Sequence, residues 1–266
     1  MKIITVGTLK GGTGKTIFTF SFAGILAETK RVLLIDADPQ TNLSSSIGID
    51  VTQQDNITLK DMFESPDVFS PEMLIIKNPI PELPNLDIIS GSILLHFTEV
   101  SLIQNFKASN TQILREYIIK NEDYFNLYDY IVIDTNPSMG LINQNAFFAA
   151  DKIIMVLDID WDSAQGAELF MYLWSEIRKP YGVPDNVAAL VVNKYESRTN
   201  YGREFVEYLV ASDIFAPLLI PTTLPMTVRL KETKTDHKPI NITSPNSIAS
   251  DSLRDIIDGL YKKGVL

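Results

Sequence analysis

The chain has 266 residues, 45% of them apolar, and a net charge of −10. That length and composition suffice to bury one sizeable core, and the charge argues against a general polyanion binder. The absence of cysteine excludes disulfides, thiolate zinc sites and cysteine nucleophiles, and two histidines, His96 and His237, exclude a histidine-rich metal site.

Residues 2–8 form an apolar, β-branched run that Gly11 and Gly12 break, so a strand opens the chain and no signal peptide is expected. Residues 16–29 follow with helical spacing at Phe18, Phe22, Ile25 and Leu26. Val32-Leu33-Leu34-Ile35 is a fully apolar run of the kind that becomes a buried parallel strand. Residues 50–85 carry Pro66, Pro71, Pro79, Pro81 and Pro84, which predict a loop-rich excursion with short helices. Leu86-Asp87-Ile88-Ile89 returns as a strand, and residues 131–133, 153–157, 188–192 and 217–220 repeat the buried-strand pattern. Helical stretches lie between them, at 140–149, 162–178, 200–211 and 246–262. The aliphatic run from Ile153 to Leu157 is far short of the roughly 20 residues of a membrane span. Strands alternating with helices imply an α/β fold with a mostly parallel, twisted sheet and helices on both faces. A single domain over residues 1–266 is expected.

The unit at residues 2–29 carries the strongest chemistry. Lys10-Gly11-Gly12-Thr13-Gly14-Lys15-Thr16 lies between the first strand and the first helix. Glycines let backbone N–H groups turn toward phosphate oxygens, and the helix start adds its own N–H groups and positive dipole end. Lys15 can then reach the β- and γ-phosphates of ATP, and the Thr16 hydroxyl can ligate Mg2+. The usual loop has a glycine five positions before Gly14, where this chain has Leu9, so the loop is a variant with an added lysine, Lys10. A tight turn with exposed lysines is the plain alternative, and it leaves the position between strand and helix unexplained.

Two carboxylate motifs follow apolar strands: Asp36-Ala37-Asp38-Pro39-Gln40 and Asp134-Thr135-Asn136-Pro137-Ser138. Parallel strands point their C-terminal ends at one crevice, so these aspartates and the glycine loop are expected to converge. One aspartate after a strand is commonly a loop start or helix cap. Three motifs at three strand ends favour the catalytic reading.

Together with Arg198-Thr199-Asn200-Tyr201-Gly202, Val228-Arg229-Leu230 and Lys238-Pro239-Ile240, these motifs resemble the deviant-Walker P-loop NTPases of the ParA/MinD class, ParA/Soj partition proteins most closely. The resemblance covers nearly the whole chain. It implies that Lys10 crosses a dimer interface to the partner's nucleotide, while Lys15 and Thr16 serve the phosphates and Mg2+. It also implies that Asp38 orients the attacking water near the metal and that Asp134 holds Mg2+ through water. Gly11, Gly12, Thr13 and Gly14 would line the phosphates, Pro225 and Thr227 would touch the adenine side, and Arg198 and Arg229 would bind DNA. Departures from the family pattern are Thr135 for a frequent cysteine, Asn136 for a frequent proline and Met226 for a frequent arginine.

The implied activity is a slow ATPase, stimulated by a ParB-like centromere-binding partner, that segregates DNA. ATP would close a nucleotide-sandwich homodimer that binds DNA without sequence preference, in the cytoplasm and on the nucleoid. No N-terminal helix-turn-helix domain is expected. A MinD-like membrane-associated ATPase is the alternative, and it needs a basic amphipathic C-terminal helix. Residues 251–266 instead balance Arg254, Lys262 and Lys263 against Asp251, Asp255 and Asp258, as a packing helix would. A scaffold that has lost hydrolysis is a third reading, opposed by intact Lys10, Lys15, Asp38 and Asp134.

Overall fold

A computed structural model describes residues 1–52, 56–196 and 198–266. The chain opens with β1 (Lys2–Gly7), α1 (Lys15–Leu26) and β2 (Val32–Asp36), then α2 (Asn42–Ser46), α3 (Leu59–Glu64), α4 (Pro71–Leu74), β3 (Ile75–Lys77) and β4 (Leu86–Ile89). Helices α5 (Leu95–Gln104), α6 (Ile113–Lys120) and α7 (Glu122–Phe125) precede β5 (Tyr130–Asp134). After α8 (Leu141–Ala149) come β6 (Lys152–Asp158), α9 (Trp161–Arg178), β7 (Val187–Asn193) and α10 (Asn200–Ala211). The chain ends with α11 (Val228–Asp236), α12 (Ile240–Thr243) and α13 (Ile248–Lys262).

The strands form one sheet in the order β3-β4-β2-β5-β1-β6-β7, parallel throughout except for β3, which runs antiparallel to β4. This is the mostly parallel α/β architecture of a P-loop NTPase. Its strands are apolar on both faces because helices cover both. Alternate residues divide between the layers as a period of two requires. Val32 and Leu34 of β2, with Tyr130 and Val132 of β5, pack into the layer formed by α1, α12 and α13. Leu33, Ile35, Ile131 and Ile133 face the opposite layer with α3, α6 and α8. A third cluster joins β6 and β7 to α9 and α10 around Trp174, whose indole N–H donates to Asn186 Oδ1 at 2.8 Å.

Two expectations change. Residues 217–220 do not form a strand: Leu219 makes an isolated bridge to Leu190, and the run is apolar because Leu219 and Ile220 fill the core. The proline-rich excursion contains, besides the short helices α3 and α4, the edge strand β3.

No helix among the described residues is long and apolar enough to cross a membrane. Helix α13 buries Leu253, Ile256, Ile257 and Leu260 in the core, so its apolar stripe is covered by protein. Leu253→Ala should therefore lower stability by about 2–5 kcal/mol in denaturant unfolding. Ile248, 77% exposed at the start of the same helix, should tolerate Ile248→Ser within about 0.5 kcal/mol.

Candidate nucleotide site

Sheet topology creates the site. The chain leaves β1 toward β2 on one side, and β6 lies on the other, so the loop after β1 sits where the strand order diverges. Register then aligns the acids: Val6 and Asp36 both pair with Asp134, and Asp158 pairs with Asn193. All stand at the C-terminal edge.

The loop itself is shaped for an anion. Gly12 and Gly14 take left-handed backbone angles (φ 78° and 88°), and Gly14 occupies the cap position of α1 without any side-chain cap. The first N–H groups of α1 are thus left for a ligand. A cavity of about 560 Å³ opens there, lined by Gly12, Thr13, Gly14, Lys15, Thr16, Asp38 and Lys194, among others. Thr13 Oγ1 is buried and, among the described residues, has no hydrogen-bond partner. Lys15 is 6% exposed, and among the described residues its ammonium makes no hydrogen bond or ion pair. Burial holds its pKa below the ordinary lysine value, against the nearby charges of Asp134 and Asp38. A withdrawn cation with no direct partner, at an uncapped helix start, fits a polyphosphate.

Beneath the loop, Asp134 is fully buried. Thr16 Oγ1 donates to its Oδ2 at 2.7 Å, and Thr19 Oγ1 donates to its Oδ1 at 3.0 Å. Burial, and then the charge of Asp36, push the Asp134 carboxyl up to about 7, against Thr16, Lys15 and Thr19. Asp36 is also fully buried, and desolvation raises it to about 6 despite hydrogen bonds from the Ser44 N–H and hydroxyl at 2.8 and 2.6 Å. Its task is internal, holding α2 against β2. Asp38 instead lies on the cavity wall, with one oxygen accepting the Gln40 N–H at 2.8 Å.

Among the described residues no group of three or more His, Cys, Asp or Glu forms a cation cage. The oxygens of Thr16, Asp38 and Asp134 suit Mg2+ that arrives with nucleotide phosphates, because this ion is commonly bound by one or two carboxylates plus substrate.

The remaining predicted residues divide. Lys10 is absent from the cavity lining; its ammonium pairs with Asp160 and, at 3.4 Å, with Asp158. Burial alone would lower its pKa, but the hydrogen bond to Asp160 and the two negative charges raise it above the ordinary value. Gly11 sits against Pro137, and neither Pro225 nor Thr227 lines the cavity. Thr227 caps α11, accepting the Arg229 N–H at 3.2 Å, while Pro225 bridges to Tyr195. Arg198 is exposed, whereas Arg229 pairs with Glu232 at 3.2 Å.

The departures from the family pattern have local partners. Thr135 Oγ1 donates to the Val6 carbonyl at 2.7 Å, tying β5 to β1. Asn136 Oδ1 accepts from the Ser138 hydroxyl and the Asn143 amide, both at 2.6 Å. The sequence assigned none of Lys194, Lys231 and Lys234 to the nucleotide, yet all three line the cavity, from β7's end and from α11. Their only signal was a lysine directly after a buried strand and two on one short helix.

Three comparisons bear on this site. Residues 1–182 match a family model described as an AAA domain. The sporulation initiation inhibitor protein Soj of Bacillus subtilis (strain 168) is 30% identical over 266 residues, covering 99% of each chain. The chromosome partitioning protein ParA of Myxococcus xanthus (strain DK1622) is 30% identical over 252 residues, 90% of this chain and 80% of that one. A solved structure of a putative plasmid partition protein from Borrelia burgdorferi B31, bound to AMPPNP, superposes with a TM-score of 0.77 at 22% identity. It covers 98% of this chain and 99% of the other.

The raised acids give a pH dependence whose sign follows from linkage. A carboxyl whose folded pKa exceeds its unfolded value keeps its proton longer when folded. Nucleotide-free protein therefore loses stability as pH rises from about 4 through about 7. Asp134→Asn should raise the thermal midpoint of nucleotide-free protein by about 2–4 °C at pH 8, as about 1 kcal/mol would. The gain should vanish near pH 4, measured by calorimetry across that range.

Proposed function

This chain belongs to the ParA/Soj family of partition and positioning ATPases, and we propose that ATP acts in it as a dimerisation switch for DNA binding. The observation carrying this reading is the division of labour between two lysines of one loop. Lys15 is buried inside the cavity, and Lys10 lies outside it, on the same sheet edge, held by Asp158 and Asp160. In this arrangement Lys10 adds nothing to its own subunit's phosphates. Its charge is available to the nucleotide of a second copy once the acid pairs are released.

Within one subunit, the N–H groups at the start of α1 and Lys15 bind and orient the phosphates of ATP. Mg2+ would be held by the Thr16 hydroxyl, with Asp134 behind it, and would neutralise charge on the β- and γ-phosphates. Asp38, on the cavity wall, orients the attacking water toward the γ-phosphorus. The reaction needs positioning and charge neutralisation more than covalent catalysis, so Lys10 arriving from a partner would resemble an arginine finger.

For DNA, the Tyr195–Pro225 bridge holds together the two segments that carry Arg198 and Arg229. Residues 222–240 contain Arg229, Lys231, Lys234 and Lys238 against Glu232 and Asp236, a local surplus in an acidic chain. Some of that charge is already engaged: Arg229 pairs with Glu232 and Lys238 with Glu82. Arg198 is therefore the more available phosphate contact. A ParB-like partner would stimulate hydrolysis and release the dimer from DNA.

Lys15→Ala should abolish ATP binding in equilibrium titration. Asp38→Ala should still bind ATP, turn over at less than about a hundredth of the parent rate and elute as a dimer with ATP; normal hydrolysis would refute the role given to Asp38. Arg198→Glu with Arg229→Glu should weaken ATP-dependent DNA binding. It should also reduce the slope of log affinity against log salt by about one unit per lost phosphate contact.

A further inference from the structure

The turn after β7 reaches back into the phosphate loop at two consecutive carbonyls. Asn193 Nδ2 donates to the Thr13 carbonyl at 2.7 Å, and the Lys194 ammonium donates to the Gly12 carbonyl. Asn193 Oδ1 in turn accepts the Lys194 N–H at 2.8 Å, closing the turn on itself. Lys194 adopts a left-handed backbone (φ 57°), which is unusual for a residue with a Cβ and is found where surrounding structure over-determines it. The constraints come from both sides. The Tyr195 N–H donates to the Leu224 carbonyl at 3.0 Å, and the Met226 N–H donates to the Tyr195 carbonyl at 3.1 Å.

We propose that Asn193 and Lys194 form a clamp that pre-sets the phosphate loop, with Lys194 a positioning residue for nucleotide. This rests on the ATP-site reading above. In a trans peptide the carbonyl of one residue and the N–H of the next point to opposite sides. Holding the carbonyls of Gly12 and Thr13 from the β7 turn therefore turns the N–H groups of Thr13 and Gly14 the other way. There an anion at the start of α1 meets them. Gly14 must be glycine for the same reason: a Cβ there would lie 2.3 Å from Asn193 Nδ2, and φ is 88°. A loop already in its binding shape loses less freedom when phosphate arrives, which raises affinity.

The ammonium has a second anchor. Asp158 lies beside Lys10 through Oδ1 at 3.4 Å and beside Lys194 through Oδ2 at 3.7 Å. One carboxylate thus faces the lysine that shapes its own subunit's loop and the lysine assigned to the partner's nucleotide. When Lys10 departs, Lys194 remains to satisfy Asp158. The loop keeps its shape while the dimer forms.

The test is Mg-ADP and Mg-ATP affinity for the parent protein, Lys194→Gly, Lys194→Met and Lys194→Arg, with thermal midpoints recorded without nucleotide. Glycine adopts the left-handed backbone freely, so Lys194→Gly separates the ammonium from the turn. Lys194→Gly and Lys194→Met should weaken Mg-ADP about tenfold, the size expected for one charged hydrogen bond. Lys194→Arg should recover part of the loss. Lys194→Gly should leave the nucleotide-free midpoint undiminished, and KM for ATP should rise with kcat within about twofold. Parent-like affinity in Lys194→Gly would overturn the clamp, as would a loss of affinity accompanied by an equally large fall in its midpoint. Failure of the parent protein itself to bind Mg-ADP or Mg-ATP would overturn the ATP-site reading instead.

Discussion

A buried ammonium and a buried carboxyl at the start of α1 set the terms for everything else on the sheet edge. Lys15 and Asp134 are both buried, at 6% and 0% exposure, and burial shifts each toward its neutral form. A buried charge is costly unless it is paired. Phosphates would supply negative charge to Lys15, and a divalent cation would supply positive charge to Asp134 and Thr16. The same burial that costs stability as pH rises through about 7 would favour a ligand that brings charge of both signs.

Around that pair the lysines are graded by depth. Lys15 lies inside, Lys194 lies at the rim against the Gly12 carbonyl, and Lys10 lies outside among Asp158 and Asp160. The grading follows the sheet order. β6 lies beside β1 and β7 beyond it, and their ends bring Asp158, Asn193 and the following Lys194 to the outer side of the loop. Asp134 arrives from the other side through β5. One loop is thus gripped from two flanks, with hydroxyls and a carboxylate beneath it and amide and ammonium donors beside it.

Much of the fold was legible because buried parallel strands leave an unmistakable apolar signature. The predicted runs at 131–133, 153–157 and 188–192 all lie inside observed strands. Residues 217–220 carried that signature for another reason, since core burial needs no ladder of hydrogen bonds. Helix α5 lacks a clear signature in the sequence because Phe97 and Ile103 are exposed while Leu95 and Thr98 are buried, which blurs the helical period. Edge strand β3, at three residues, is too short to show a period at all.

The sequence by itself determined the phosphate loop, the two acid motifs and their position at strand ends, because glycine freedom, lysine reach and strand direction are local properties. It also determined the family, through motifs distributed along nearly the whole chain. Only the tertiary structure decided which carboxylates share the site and which do not. Asp36 and Asp38 are two residues apart, yet one is sealed beneath α2 and the other faces the cavity. Likewise only the fold placed Lys10 against acids 148 and 150 residues away and set Lys194 against Gly12. Those contacts depend on strand order and register, which fix distances between segments that no local pattern can relate.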